Sequence, residues 1–591
     1  MPTYAAPTRD INFLLNELLD LQQYADMSGF EDVTPEFTET VVASMGRFAE
    51  DVTFPLNMSG DRQGCRWNNG EVTAPDGFKQ AYQQFSEDGW FSLSSEPEFG
   101  GQGLPAVLGL AVTEMLISSN VSFSMFTGLN KGAMDILEQF GSIEQKELFL
   151  PRLNSGEWNA TMDLTEGNAG TDLGLLRTRA EPQPDGSFHI YGSKIFISSG
   201  EHDLADNIIH MVLAKIPGGP SGSKGISLFI VPKYHINADG SAGEKNAVIC
   251  DSIEEKLGLH GSATCAISYE AAVGHLVGKE HDGMRAMFAM MNTTRLFVGL
   301  QALALSEVAY QNAADYARER LQGRVPGSES PPNKADKIIK HPDVRRMLMF
   351  CRSFTEGARA LCYWTGVQLD VSKKHADAEV RKQASELVAL LTPVVKAYTT
   401  DMAEISTSTA LQCFGGHGYI VETGMEQYLR DVRIGRIFEG ANGVQAMDLV
   451  GRKLLATGGA GLNILLGKIS DFIQTHQHIK ALDSFIVPLE KGLRNLEQAS
   501  RWIFENAKER PENVGSVASN YLALLGIVSV SFMWSLIALK CIKEKTEKSF
   551  YQNKIKTGRF FLEQMIPDTY AHLARIEAGA ESVMALDEEA F

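Results

Sequence analysis

The sequence predicts a mainly α-helical protein with a β domain, a barrel or a sandwich, in its middle. Three observations predict it. Apolar residues recur at three- and four-residue spacing over most of the chain. Between about residues 159 and 282 this gives way to short β-rich runs separated by turn clusters. Helical periodicity then returns and continues to the C-terminus. Strands and helices therefore occupy separate blocks, unlike the βαβ alternation of a nucleotide-binding parallel sheet.

Residues 1–33 form an N-terminal extension, and residues 34–158 an N-terminal helical domain. Its stretch "TPEFTETVVASMGRFAEDV" opens on a threonine start signal, and Pro97, Gly100, Gly101 and Gly103 punctuate the later part of the domain. Residues 159–282 form the middle β domain, with "FHIYGSKIFISSG", "IIHMVLAKI", "KGISLFIVPK" and "ATCAISYEAAV" as strands. Residues 283–455 carry three long helical segments, the first two separated by the polar stretch "GSESPPNKADK". Residues 456–591 form an additional C-terminal helical domain that begins after "TGGAG". Within it "NYLALLGIVSVSFMWSLIAL" has the length to span a bilayer. Gly526, Ser529, Ser531 and Ser535 dilute it, and amphipathic helices flank it, so a buried core helix is expected and no membrane span.

Bulk composition narrows the function. The chain has 591 residues, 44% of them hydrophobic, with a formal net charge of -19. An acidic chain argues against nucleic acid as a partner, though local cations and helix N-termini can still hold an anionic ligand. Seven scattered cysteines, none in CxxC spacing, fit reduced thiols in a cytoplasmic protein rather than disulfides or a metal site. The N-terminus lacks the basic start and apolar run of a signal peptide. There is no GxGxxG fingerprint, phosphate loop, HExxH or GxSxG elbow.

Five stretches could carry chemistry. In "MDLTEGNAGTDLG", Thr165, Thr171, Gly167, Gly170 and Gly174 offer hydroxyls and open backbone, as an inter-domain loop also would. In "SKIFISSG", Phe196 and Ser198 are two apart, so a regular strand sends them to one face; they could cover a flat ring, or simply end a strand. "YARERLQGR" gathers Arg318, Arg320 and Arg324, a phosphate-binding set or a solvated helix end. "LQCFGGHGYI" joins Gln412 to Gly415, Gly416 and Gly418, which a helix C-cap also explains. Finally, "RIGRIFEGANGVQ" places Glu439 after Ile437 and Phe438. Asn442 with Gln445 three residues on suggests a capping box, which would put Glu439 just before a helix start. Burial would raise its pKa and the helix dipole would lower it, a balance suited to a general base; a solvated loop glutamate is the alternative.

Taken together these stretches resemble the acyl-CoA dehydrogenase family. "GSIEQKELFLPRLNSGEW" is similar to its Q-K…L-P-x-L-x-S-G-E signature, "LTEGNAGTD" to LTEPxAGSD, and "GSKIFISSG" to NGxKxWITN. "FGGHGY" and "RDVRIGRIFEG" resemble its last two signatures. The N-terminal start, the insert before His341 and the C-terminal extension resemble a subgroup that includes 3-(methylthio)propanoyl-CoA dehydrogenases. The resemblance implies a helical N-domain, a β-barrel and a four-helix bundle, with FAD held partly by a neighbouring subunit.

The resemblance also implies roles for individual residues. Glu439 removes the α-proton of an acyl-CoA thioester, and the β-hydrogen leaves as hydride to the flavin, giving a trans-2-enoyl-CoA. Met162, Leu164 and Thr165 line the flavin, with Gly170 beside them; Thr171 contacts FAD or the CoA arm; Phe196 and Ser198 stand for the usual tryptophan and threonine at the flavin. Arg320, Gln322, Gln412 and Gly416 reach the FAD of the partner subunit. Asn292, Arg295 and Gly440 lie along the substrate. Ala441 and Gly443 occupy FAD-contacting positions where relatives often carry threonine and glutamine. The implied electron acceptor is an electron-transfer flavoprotein and the implied assembly a homodimer, with a tetramer as the second choice. An acyl-CoA oxidase, or a non-catalytic acyl-CoA-binding protein of the same fold, is the alternative.

Overall fold

The structure is a computed structural model that describes residues 2–591 apart from 238, 329, 330, 332, 508, 509 and 545–547; the side chains of 289 and 292 are also outside the description. The chain forms two compact units.

One unit comprises Ser44–Pro105 and Met115–Thr294. Its β part is built from β1 (Trp158–Asp163), β2 (Arg179–Pro182), β3 (Phe188–Ser198), β4 (Asn207–Lys215), β5 (Ile226–Pro232), β6 (Val248–Ile253) and β7 (Thr264–Val277). Antiparallel pairings run β2–β3, β3–β7, β7–β5 and β5–β4, and a single bridge from Arg179 to Lys215 joins β4 back to β2. The circuit is closed, so these five strands form a barrel rather than a sandwich. β6 is added to β7, and β1 runs parallel to β4.

Helices α1 (Val121–Phe140) and α2 (Ile143–Ser155) share a core with the barrel through Leu137, Phe149, Leu150, Trp158, Ile209 and Ile230. The signature around Gln145 is explained here by structure, not chemistry. Ser142 Oγ accepts from Gln145 N at 3.2 Å, and Gln145 Oε1 accepts from Ser142 N at 3.0 Å, a capping box. The same glutamine donates from Nε2 to Leu276 O at 2.9 Å, which ties the start of α2 to the end of β7.

The other unit comprises residues 2–43, Ala106–Glu114 and Arg295–Phe591. It contains most of α3 (Gly283–Glu319), then α4 (Pro342–Lys374), α5 (Ala378–Cys413), α6 (Asn442–Met447), α7 (Ala460–His476), α8 (Asp483–Asn506), α9 (Pro511–Lys543) and α10 (Lys548–Glu577). α9 holds the long apolar run, and 83% of its most apolar window is buried inside the protein. It packs on α4 through a close approach. A Cβ on Gly357 would lie 2.5 Å from Trp534 Nε1, and that indole donates to Ser353 O at 3.0 Å.

A charge network holds the C-terminal helices and the N-terminal segment to the bundle. The buried Arg359 guanidinium donates to Glu114 Oε1 at 2.7 Å, Asp10 Oδ2 at 2.6 Å and Glu307 Oε2 at 2.6 Å. Tyr363 OH donates to Glu114 Oε2 at 2.7 Å. Lys554, on α10, pairs with Asp10 and donates to Glu356 Oε2 at 2.8 Å; Arg352 Nε reaches Glu356 Oε1 at 2.7 Å.

Candidate active site

The segment around Glu439 is strapped across one face of α5. Before Glu439, Arg436 reaches Asp401 Oδ1 at 2.5 Å and Glu404 Oε2 at 2.6 Å. After it, Asn442 Nδ2 donates to Ala397 O at 3.1 Å, Thr400 Oγ1 at 3.0 Å and Asp401 Oδ1 at 2.8 Å. Residues 397, 400, 401 and 404 share a helix face because neighbours three and four apart do. The capping box expected for Asn442 and Gln445 does not form. The N-cap of α6 is Ala441 with no side-chain cap, since Asn442 Oδ1, the atom that would cap, accepts from Lys396 Nζ and Thr400 Oγ1 on α5. Gln445 instead turns back, and its Nε2 donates to Glu439 O at 3.1 Å and Gly440 O at 3.2 Å.

These bonds hold an unfavourable backbone. Glu439 has φ 55° and Gly440 φ 84°, two left-handed residues in a row. For a residue with a Cβ this region costs roughly 1–2 kcal/mol. Glycine at 440 is favoured by its φ, and a Cβ there would stand 2.5 Å from Gln445 Nε2, displacing the amide that holds the turn.

The carboxyl of Glu439 is mostly enclosed, and among the described residues no hydrogen bond or ion pair reaches it. Burial raises its pKa above the usual carboxylate range; the Arg295 guanidinium and the Lys396 ammonium oppose this. Arg295 is 6% exposed and lies 3.5 Å from Asp448 Oδ2. It is brought in by α3, which meets α5 closely: a Cβ on Gly299 would sit 2.6 Å from Val395 O, and Thr399 Oγ1 donates to Gly299 O at 3.2 Å. Lys396, wholly buried, donates to Gly440 O at 2.8 Å and Asn442 Oδ1 at 2.9 Å. Of the residues expected along the substrate, Gly440 and Arg295 thus lie beside Glu439, while the side chain of Asn292 is outside the described residues. Ala441 is half-buried and Gly443 exposed, with open space where a Cβ would stand on Gly443.

Arg320, Gln322, Gln412 and Gly416 are all exposed. Their two segments are brought side by side where Tyr316 stacks on Phe414, ring centroids 4.2 Å apart, with Tyr316 OH 3.4 Å from His417 Nδ1. Beside them Tyr419 is 87% exposed, and Ile420 and Val421 are also open.

In the barrel unit, Met162 and Leu164 are half-buried against the core, Thr165 is half-buried, and Gly170 and Thr171 are exposed. Simple alternation does not govern Phe196 and Ser198. β3 has one residue more than β7 between the pairs Lys194–Ile267 and Ile197–Cys265, a bulge, and Phe196 sits in it at φ 60°. The bulge turns Phe196 outward to 59% exposure, leaving a flat apolar face, with Ser198 half-buried next along the strand. The two segments are joined where Ile195 N donates to Thr165 O at 2.9 Å, and an exposed ring on one with exposed glycines at 167 and 170 on the other fits a planar heterocycle with hydrogen-bonding edges.

Sequence reading missed the residues that hold this loop. Glu166 accepts from Arg177 N at 2.7 Å, Thr178 N at 3.0 Å and Lys194 Nζ at 2.9 Å; Lys194 also donates to Leu164 O at 3.0 Å. Burial works against the Glu166 carboxylate, but Lys194 and these donors hold it below its usual range. Lys396 was missed as well. The signal in both cases is a lone lysine inside an apolar run, "GSKIFI" and "TPVVKAYTT".

Comparison with known proteins accords with this geometry. Models described as acyl-CoA dehydrogenase N-terminal, middle and C-terminal domains match residues 38–157, 161–272 and 281–455, and one described as acetyl-CoA dehydrogenase C-terminal like matches 465–587. The chain is 39% identical to a 3-methylmercaptopropionyl-CoA dehydrogenase of Ruegeria pomeroyi, over 98% of this chain and 99% of that protein. It is 34% identical to a butyryl-CoA dehydrogenase of Syntrophomonas wolfei, over 100% of this chain and 99% of that one. In fold it is similar to Caenorhabditis elegans ACDH-11, solved in complex with C11-CoA, with TM-score 0.80, 20% identity and coverage of 98% and 95%.

Proposed function

The chain belongs to the acyl-CoA dehydrogenase family, an FAD-using oxidoreductase acting on acyl-CoA, and from that premise we propose α,β-dehydrogenation of an acyl-CoA thioester with Glu439 as the base. The observation that supports this most is the enclosed Glu439 carboxyl, which among the described residues has no hydrogen-bonded partner and is set in a left-handed turn between two cations.

Glu439 takes the α-proton of the thioester, forming an O–H bond as the C–H bond breaks. Its raised pKa suits this, since a general base works best with a pKa near the operating pH. Arg295 and Lys396 favour its ionised form. Bound FAD supplies the hydride acceptor for the β-hydrogen. Met162, Leu164, Thr165, Gly170, Thr171, Phe196 and Ser198 would hold it in one chain, with Arg320, Gln322, Gln412 and Gly416 reaching the cofactor of a second copy. That arrangement requires a homodimer, and the open Tyr419, Ile420 and Val421 suit such an interface. The product is a trans-2-enoyl-CoA, and the electrons pass on to an electron-transfer flavoprotein. Near-full-length identity of 39% to a 3-methylmercaptopropionyl-CoA dehydrogenase and 34% to a butyryl-CoA dehydrogenase supports 3-(methylthio)propanoyl-CoA or a fatty acyl-CoA as substrate. We place the protein in the cytoplasm, in keeping with seven free cysteines.

The test is anaerobic mixing of the yellow holoenzyme with a panel of acyl-CoAs that includes 3-(methylthio)propanoyl-CoA. Bleaching is expected with at least one of them and not with Glu439→Gln. A wild-type protein that binds no FAD or that no acyl-CoA bleaches refutes the reading. Prompt peroxide formation in air assigns an oxidase instead.

A further inference from the structure

We propose that Lys396 is a positioning residue for Glu439: it clamps Gly440 O and Asn442 Oδ1 so as to hold the left-handed turn, and it sets a cation behind the carboxyl. This rests on the reading of Glu439 as the base.

The fold alone gives no reason for a lysine at 396. The residue is wholly buried in the middle of α5, within the run "LVALLTPVVKAYTT". A buried ammonium is costly unless it is paired and hydrogen-bonded. Among the described residues the other buried cations of this unit have carboxylate partners: Lys554 has Asp10 and Glu356, Arg359 has Asp10, Glu114 and Glu307, and Arg295 has Asp448 at 3.5 Å. Lys396 has two neutral oxygens, at 2.8 and 2.9 Å, and both belong to the segment just after Glu439. Burial lowers its pKa, Glu439 and Asp401 oppose this through space and Arg295 adds to it, leaving the ammonium at about 8. A neutral side chain would serve helix packing better, so the charge is explained by what it faces.

The turn explains the geometry. Carbonyls 439 and 440 both point back to donors, Gln445 for the pair and Lys396 for the second. Without Lys396, Gly440 O keeps one donor, and Asn442 Oδ1 keeps only the Thr400 hydroxyl at 3.3 Å. The charged groups facing this centre are Lys396 and Asp401 on α5, Arg295 on α3, Glu439 itself, and Asp448 and Arg452 in the segment after α6. Arg295 is already engaged by Asp448, which leaves Lys396 as the cation without a bonded anion among them.

Three variants separate position from charge. The Glu439 carboxyl is titrated by difference infrared, with its band assigned by loss in Glu439→Gln, and the rate of anaerobic flavin bleaching is followed against pH. Lys396→Met is expected to raise the carboxyl midpoint by about one pH unit and to lower the plateau rate roughly tenfold to a hundredfold. Lys396→Gln, which can still donate to Gly440 O, is expected to regain most of the plateau while its midpoint stays raised. Lys396→Arg is expected to keep the wild-type midpoint. FAD content and melting temperature are measured for each; if Lys396→Met does not fold, the midpoints of Lys396→Gln and Lys396→Arg decide. Midpoints equal to wild type in the neutral variants overturn the proposal, as does a rate that falls only in proportion to lost FAD. A wild-type enzyme that no acyl-CoA bleaches overturns the base role of Glu439 and this inference with it. Normal bleaching with unshifted midpoints overturns the role of Lys396 alone.

Discussion

The Arg359 network and the Glu439 centre lie in the same helical unit and treat buried charge in opposite ways. Around Arg359 each carboxylate has a cation in contact: Asp10 and Glu356 share Lys554, and Glu114 and Glu307 share Arg359. At Glu439 two cations are near, yet none bonds the carboxyl. A carboxylate saturated with donors has its lone pairs engaged, so it holds structure. One that is enclosed but unbonded keeps a lone pair free for a substrate proton. The network spends charge on cohesion, while the centre holds it in reserve.

The largest effect that can break this comparison is chemical. Glu439→Gln is expected to slow flavin bleaching by up to about 10⁴-fold, while yellow colour and folding persist in absorbance and circular dichroism. The next is structural. Arg359→Met strands Glu114 and Glu307 in the interior and is expected to cost about 3–5 kcal/mol in denaturant unfolding, with the rate per FAD-loaded molecule unchanged. Gly440→Ala sits between the two regimes. It forces a Cβ against Gln445 Nε2 at a left-handed position and is expected to cost about 1–2 kcal/mol in thermal unfolding, with a larger loss in the bleaching rate. The smallest effect carries the sharpest sign. The folded-state pKa of Glu439 is raised above the ordinary value of 4.5, so ionisation of this group disfavours the folded state once the pH exceeds both values. Glu439→Gln should therefore be more stable than wild type at pH 7, by on the order of 1 kcal/mol. The gap should shrink as pH falls through the raised folded pKa toward 4.5. A gap that widens toward acid would place Glu439 in the same class as Asp10, whose pKa is lowered and whose contribution to stability is lost in acid.

Much of this was readable in the chain. Helical periodicity marks α3, α4 and α5, and turn clusters mark the strands, because both patterns are local. The framing of Glu439 was readable as an acid beside an apolar wall. Its anchoring was not: Asn442 looks like a cap to its own helix, but its amide is used on α5, more than forty positions earlier. Phe196 and Ser198 were legible as an aromatic and a hydroxyl on one strand, while the bulge that exposes Phe196 depends on the register with β7. Lys194 and Lys396 are single charges in apolar runs, and their partners, Glu166 and the 440–442 segment, are brought to them only by folding.

The contact between Gly357 and Trp534 bears on how such a chain arises. A bundle of the shorter kind cannot gain the last helices by gene fusion alone. The recipient must already lack a side chain at position 357, or the indole has no seat. In the other direction, Lys554 depends on the bundle side for its two carboxylates, Asp10 and Glu356. A swap of the C-terminal helices with those of a relative is therefore expected to dock only where position 357 is glycine or the indole is absent.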